Sequence, residues 1–126
     1  MILISNCSDK DNLIPEVYVD FSISASEIGG VGQGIYTLDN YGVSGIIIYH
    51  FGINEYRAYD RTCSFRPSNS CEVIEFDNDE SPTYLVDQCC STKFLIEDGT
   101  PFDGPASLPL KRYNTSFDGT YVRVFN

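Results

Sequence analysis

A chain of 126 residues suits one domain around one core. Its hydrophobic content of 42%, with 9 Tyr and 8 Phe, is enough apolar material to fold unaided, and no apolar run reaches the roughly 18 to 20 residues of a membrane span. A formal charge of −10 repels phosphate backbones and argues against nucleic acid as a partner, while saying nothing about which partner is bound.

The chain opens M-I-L-I-S-N-C-S-D-K-D-N, a short apolar run, a cysteine and a polar stretch. A secretory signal takes about 15 to 30 residues with a basic start, so this stretch reads either as the last part of a longer signal or as a frayed tail with an incidental Cys7. Leu3, Ile4, Ser5 and Asn6 before Cys7 resemble a bacterial lipoprotein cleavage box, although Asn6 stands where a small residue is preferred. The expectation is a tether over residues 1–14, with Cys7 as the lipidation site, and one domain over residues 15–126.

From there the dominant period is two. V-Y-V-D-F-S-I-S places Val17, Val19, Phe21 and Ile23 on one face of a half-buried strand. Residues 26–33, with Gly29, Gly30 and Gly32, read as a loop, since no helix follows to make them a phosphate cradle. G-I-I-I-Y-H (45–50) is continuous and β-branched, as a strand buried on both faces would be. F-G-I-N then turns the chain into the alternating strand 55–60. Residues 72–77, 83–86, 93–96 and 120–125 are further strands, and Asp-Gly pairs at 98–99, 103–104 and 118–119 mark turns. Strands this short with turns this frequent predict an all-β sandwich or barrel.

Cys63, Cys71, Cys89 and Cys90 fall on two loops between these strands. An even number in an exported domain points to disulfides. The spacing is wrong for zinc knuckles, and adjacent cysteines on a strand project to opposite faces, so Cys89 and Cys90 are poorly placed to grip one ion together. His50 is the only histidine and has no second histidine to share a site, so it reads as a hydrogen-bonded strand residue. D-N-D-E (77–80) lacks the spacing of a calcium loop and reads as a solvated hairpin tip.

Taken in order, R-A-Y-D-R-T-C-S-F (57–65), D-Q-C-C-S-T-K-F (87–94), D-G (98–99) and G-P-A-S-L-P-L (104–110) resemble the Rieske iron–sulfur domain. That family carries Cys-x-His in one loop and Cys-x-Cys-His-Gly-Ser-x-Phe in a second, followed by a Gly-Pro-Ala loop and a final hairpin. The resemblance spans about residues 15–126. It implies an antiparallel β sandwich or barrel with a small loop-rich subdomain where the family binds its cluster. The family's ligand positions fall on Cys63, Phe65, Asp87 and Cys90. Two keep sulfur, one is a carboxylate, and Phe65 has no donor atom. A two-iron Rieske cluster takes four donors, two thiolates on one iron and two histidines on the other.

The resemblance therefore implies a degenerate, cluster-free member with no cofactor, no metal and no catalytic residue. The family's loop crosslink corresponds to Cys71–Cys89, and the two former ligand positions imply a second pair, Cys63–Cys90. A Cys63–Cys71 pairing and four reduced thiols remain alternatives. The expected function is a structural or binding role for a lipid-anchored monomer at the bacterial cell envelope, facing periplasm or exterior, with a protein or other envelope partner. The rivals are an electron-transfer protein with an atypical 2Fe-2S centre and a thiol–disulfide redox module, whose thiolate would draw on Arg61, Arg66 and Lys93.

Overall fold

Three consecutive isoleucines without exposed surface explain why this chain builds two cores. Residues 15–38, 40–64 and 73–126 are described in the computed structural model of the protein. Among them the chain forms, in order, β1 (Asp20–Ser24), α1 (Ala25–Ile28), β2 (Gly34–Tyr36), β3 (Ile46–Gly52), β4 (Glu55–Asp60), β5 (Ile74–Phe76), β6 (Leu85–Asp87), β7 (Lys93–Phe94), β8 (Pro101–Asp103), β9 (Arg112–Phe117) and β10 (Tyr121–Phe125). A curled six-stranded sheet has the order β1-β10-β9-β4-β3-β2, and a smaller sheet has the order β5-β6-β7-β8. Every pairing is antiparallel.

Ile46, Ile47 and Ile48 on β3 have 0% exposure. Side chains alternate across a strand. Ile46 and Ile48 therefore join Val19, Ile28, Tyr56, Ala58, Tyr113, Val122 and Val124 on one face of the large sheet. Ile47 points the other way, into a core shared with Ile74, Phe76, Leu85, Phe94 and Ile96. Each isoleucine contributes about 1.5–3 kcal/mol of burial. The second core is what fixes the small sheet to the large one.

The hairpin predicted at F-G-I-N joins β3 to β4, with Asn54 at φ 61° and a bulge between His50 and Gly52. The predicted strand at 17–24 is shorter than expected. Val17 is exposed, and pairing to β10 begins at Asp20. Residues 26–33, expected as loop, contain the end of α1, whose Ile28 is buried in the first core. Strands β2, β8 and β9 had no alternating apolar pattern to announce them.

Asp60, the last residue of β4, is completely buried. Its carboxylate accepts five hydrogen bonds, from Val43 N–H (2.7 Å), Ser44 N–H (3.2 Å), Thr62 N–H (3.0 Å), Thr62 Oγ1 (2.8 Å) and Tyr113 OH (2.7 Å). A buried carboxylate needs such donors to offset its lost hydration. Gly42 makes room for it, since a Cβ there would lie 2.5 Å from Asp60 Oδ2 on a backbone at φ 66°. Burial and the Asp60 charge push the Tyr113 phenol well above its ordinary value of 10.0.

Asp60→Asn should lower the unfolding free energy by about 3 kcal/mol, because one charged acceptor is lost among several buried donors. A raised phenol gives stability that is complete below pH 10 and is lost as pH climbs further. Tyr113→Phe should cost about 1 kcal/mol at neutral pH and reduce that alkaline slope. Urea melts across pH provide the check. An Asp60→Asn melt that overlays the native one would remove the network from its anchoring role.

Candidate functional site

The two cysteine loops leave the ends of β4 and β6. Asp60 fixes the first by receiving the amide and hydroxyl of Thr62, the residue before Cys63. Thr62 also bridges to Val73, so Cys63 emerges from a pinned backbone and is fully buried.

The second loop is a tight turn from Asp87 to Thr92. Asp87 Oδ1 accepts the amides of Cys89 (2.7 Å) and Cys90 (3.2 Å), and the Asp87 carbonyl accepts Ser91 N–H (2.9 Å). The Asp87 amide in turn donates to the Thr92 carbonyl at 2.9 Å. Ser91 sits at φ 65°, a left-handed position that favours glycine. This is the place where the resembling family carries glycine.

Cys89 and Cys90 lie on this turn and not on a strand. They do serve different ends, but the turn separates them, where strand alternation had been expected to. Cys89 is held in a disulfide. Cys71, the partner expected for it, lies outside the described residues, as do Phe65, Arg66 and Cys7.

The sulfurs of Cys63 and Cys90 and a carboxylate oxygen of Asp87 all lie within 4.8 Å of one another. Cys63 and Asp87 are buried, and Cys90 is half-buried. The Cys63–Cys90 bond expected from the sequence is not formed, and the two sulfurs remain separate in this structure. The Asp87 carboxylate shares the same small volume.

A third loop closes over the site. Thr92 Oγ1 accepts Ala106 N–H (3.1 Å) and lies 3.1 Å from Cys90 Sγ. The Ser64 hydroxyl donates to the Leu108 carbonyl. Gly104 runs at φ 106°, and a Cβ there would lie 2.5 Å from Thr92 Cα. The G-P-A segment can approach the second loop this closely only with glycine at that position.

The other sequence candidates are elsewhere. His50 Nδ1 donates to the Gly29 carbonyl at 3.0 Å, and its ring stacks on Tyr56 at 4.2 Å. Asp77 accepts Thr83 N–H (2.7 Å), Tyr84 N–H (3.0 Å) and the Thr83 hydroxyl (2.7 Å). Burial raises its proton affinity, but these bonds outweigh burial and hold the carboxyl below its ordinary value. Asp79 accepts Tyr36 OH at 3.1 Å. These carboxylates shape the hairpin tip. Arg61 lies over the Tyr36 ring at 4.4 Å and donates to the Ile74 carbonyl at 2.9 Å, and Lys93 lies 3.9 Å from Asp103. Both cations are engaged in these contacts. Thr92 and Ser64 went unnoticed as site residues in the sequence, although Thr92 stands where the family pattern has serine.

The layout is the Rieske-like β fold that the order of motifs implied. The structure is similar to the ferredoxin of carbazole 1,9a-dioxygenase from Nocardioides aromaticivorans IC177, with a TM-score of 0.58 and 19% identity over 87% of this chain and 98% of that one. No protein-family model matches the chain, and no curated protein matches it. At this identity the likeness concerns the fold. The donor set does not fit the family's two-iron cluster, which divides four donors between two irons. Among the described residues the grouped donors are three, gathered around one point, and one is a carboxylate.

Gly104→Ala should cost about 2 kcal/mol, from positive-φ strain and the contact with Thr92. It should also speed reaction of Cys90 with a thiol reagent, because the third loop would lift. Unchanged stability together with unchanged thiol reactivity would show that this close approach does not hold the site shut.

Proposed function

We propose that the protein is a non-catalytic structural or binding module on a Rieske-like fold that has lost the two-iron cluster. The donor set carries this reading. Cys63, Asp87 and Cys90 form one compact group, and the fourth family position is Phe65, which the sequence equips with no donor. The loops are held by contacts that need no iron, namely Thr62 on Asp60, Ala106 on Thr92 and Ser64 on Leu108. The rival reading keeps electron transfer through an atypical centre, in keeping with a structural neighbour named as a ferredoxin.

Anaerobic purification decides between them. The expected product is colourless and contains no acid-labile sulfide. Visible charge-transfer absorption with iron and sulfide in equal amounts, bleached by dithionite, would establish the electron-transfer reading instead.

The proposal includes attachment to the bacterial envelope through Cys7. Its support is the sequence L-I-S-N-C with a polar run behind it. No helix among the described residues is long and apolar enough to cross a membrane. Expressed from a complete reading frame, the protein should partition to the membrane fraction and take up labelled palmitate, and Cys7→Ser should abolish both. Equal partitioning of the two forms would remove the anchor from this reading.

A further inference from the structure

We propose that Cys63, Asp87 and Cys90 form a site for a single thiophilic divalent cation of the zinc class. The inference rests on the reading that the two-iron cluster is lost, and it assigns the remaining donors a different occupant.

The first argument is spacing. Zinc–sulfur bonds of about 2.3 Å and zinc–oxygen bonds of about 2.0–2.2 Å put neighbouring donors on a tetrahedral ion roughly 3.6–3.8 Å apart. The three donor atoms already lie within 4.8 Å of one another. A small contraction would bring all three onto one ion, whereas a two-iron cluster would have to divide them.

The second argument is donor chemistry. Two sulfurs and one carboxylate favour zinc or ferrous iron over calcium or magnesium, which take oxygen ligands. Three protein donors would leave a fourth tetrahedral position for water or an exogenous ligand. Cys90 is only half-buried, so this position has a path to solvent.

The third argument is the supporting shell. Asp87 Oδ1 is fixed by the amides of Cys89 and Cys90, which orients the carboxylate. Thr92 Oγ1 accepts Ala106 N–H, so its own proton is available to the Cys90 sulfur 3.1 Å away. A metal-bound thiolate accepts hydrogen bonds and cannot donate one, and Thr92 is arranged to supply that bond. Binding would release the thiol protons to solvent.

The test is cobalt(II) and zinc(II) titration of the whole protein. It is reduced mildly enough to keep the Cys89 disulfide, stripped with a chelator and handled anaerobically. One equivalent of cobalt should give thiolate-to-cobalt charge transfer and the intense ligand-field bands of a tetrahedral site, and one equivalent of zinc should displace it. Cys63→Ser and Cys90→Ser should each weaken cobalt binding by about 100-fold or more, beyond the roughly 10- to 100-fold typical of supporting residues. Asp87→Asn keeps the Oδ1 acceptor for the turn, so it should fold and still lose affinity. Wild-type protein that takes up no stoichiometric cobalt, or variants that bind it as tightly as wild type, would overturn the proposal. Metal-free protein that binds no cobalt would leave the cluster-free reading intact. Iron with equimolar sulfide in the purified protein would sink that reading as well.

Discussion

A buried carboxylate satisfied by amides and hydroxyls holds the site end of this protein together. Asp60 closes β4, and its five donors come from three separate parts of the chain. Val43 and Ser44 bring in the turn before β3. Tyr113 brings in β9, which runs next to β4. Thr62 begins the first cysteine loop. A carboxylate at 0% exposure is costly unless its oxygens are satisfied. Satisfying them fixes where Cys63 leaves the sheet, because Thr62 contributes both its amide and its hydroxyl.

The second loop repeats the device on a smaller scale. Asp87 ends β6 as Asp60 ends β4, and its Oδ1 collects the next turn's amides. One carboxyl group thus has two duties. One oxygen organises the turn that aims Cys90, and the group as a whole stands beside both sulfurs. A thiolate at this position could approach the same atoms, but it would accept the two amides more weakly. A carboxylate here therefore holds the turn more firmly than a thiolate would.

Much of this was legible in the sequence. Period two revealed β1, β4 and β10, and the unbroken I-I-I of β3 announced burial on both faces. The order of C-S-F, D-Q-C-C-S-T-K-F and G-P-A indicated the Rieske-like layout and brought Cys63, Asp87 and Cys90 to one place. Strand β2 is G-I-Y behind a glycine-rich stretch, β8 begins with Pro101, and β9 alternates polar with weakly apolar residues. None carries a pattern of its own, and each exists because a neighbour offers it an edge. The Asp60 network was illegible for a related reason. Its donors lie up to 53 positions from Asp60, and nothing local distinguishes a carboxylate that will be buried from one that will be solvated. The Cys63–Cys90 bond was expected because two sulfurs at former ligand positions looked like a complete set. The sequence put Asp87 at a third such position, but its presence beside both sulfurs is a fact of three dimensions.

Ser91 and Thr92 show how the turn keeps its shape through its own contacts. The backbone at residue 91 still takes the left-handed conformation, at φ 65°, although serine holds it less readily than glycine. The cost is offset by the bonds on either side, Ser91 N–H to the Asp87 carbonyl and Asp87 N–H to the Thr92 carbonyl. Thr92 then receives Ala106 and accommodates Gly104 against its backbone. Every contact in this chain of support is made between protein atoms, several of them backbone atoms of Asp87 itself. The turn, the disulfide at Cys89 and the third loop can therefore hold Cys63, Asp87 and Cys90 together whether the point between them is filled or not.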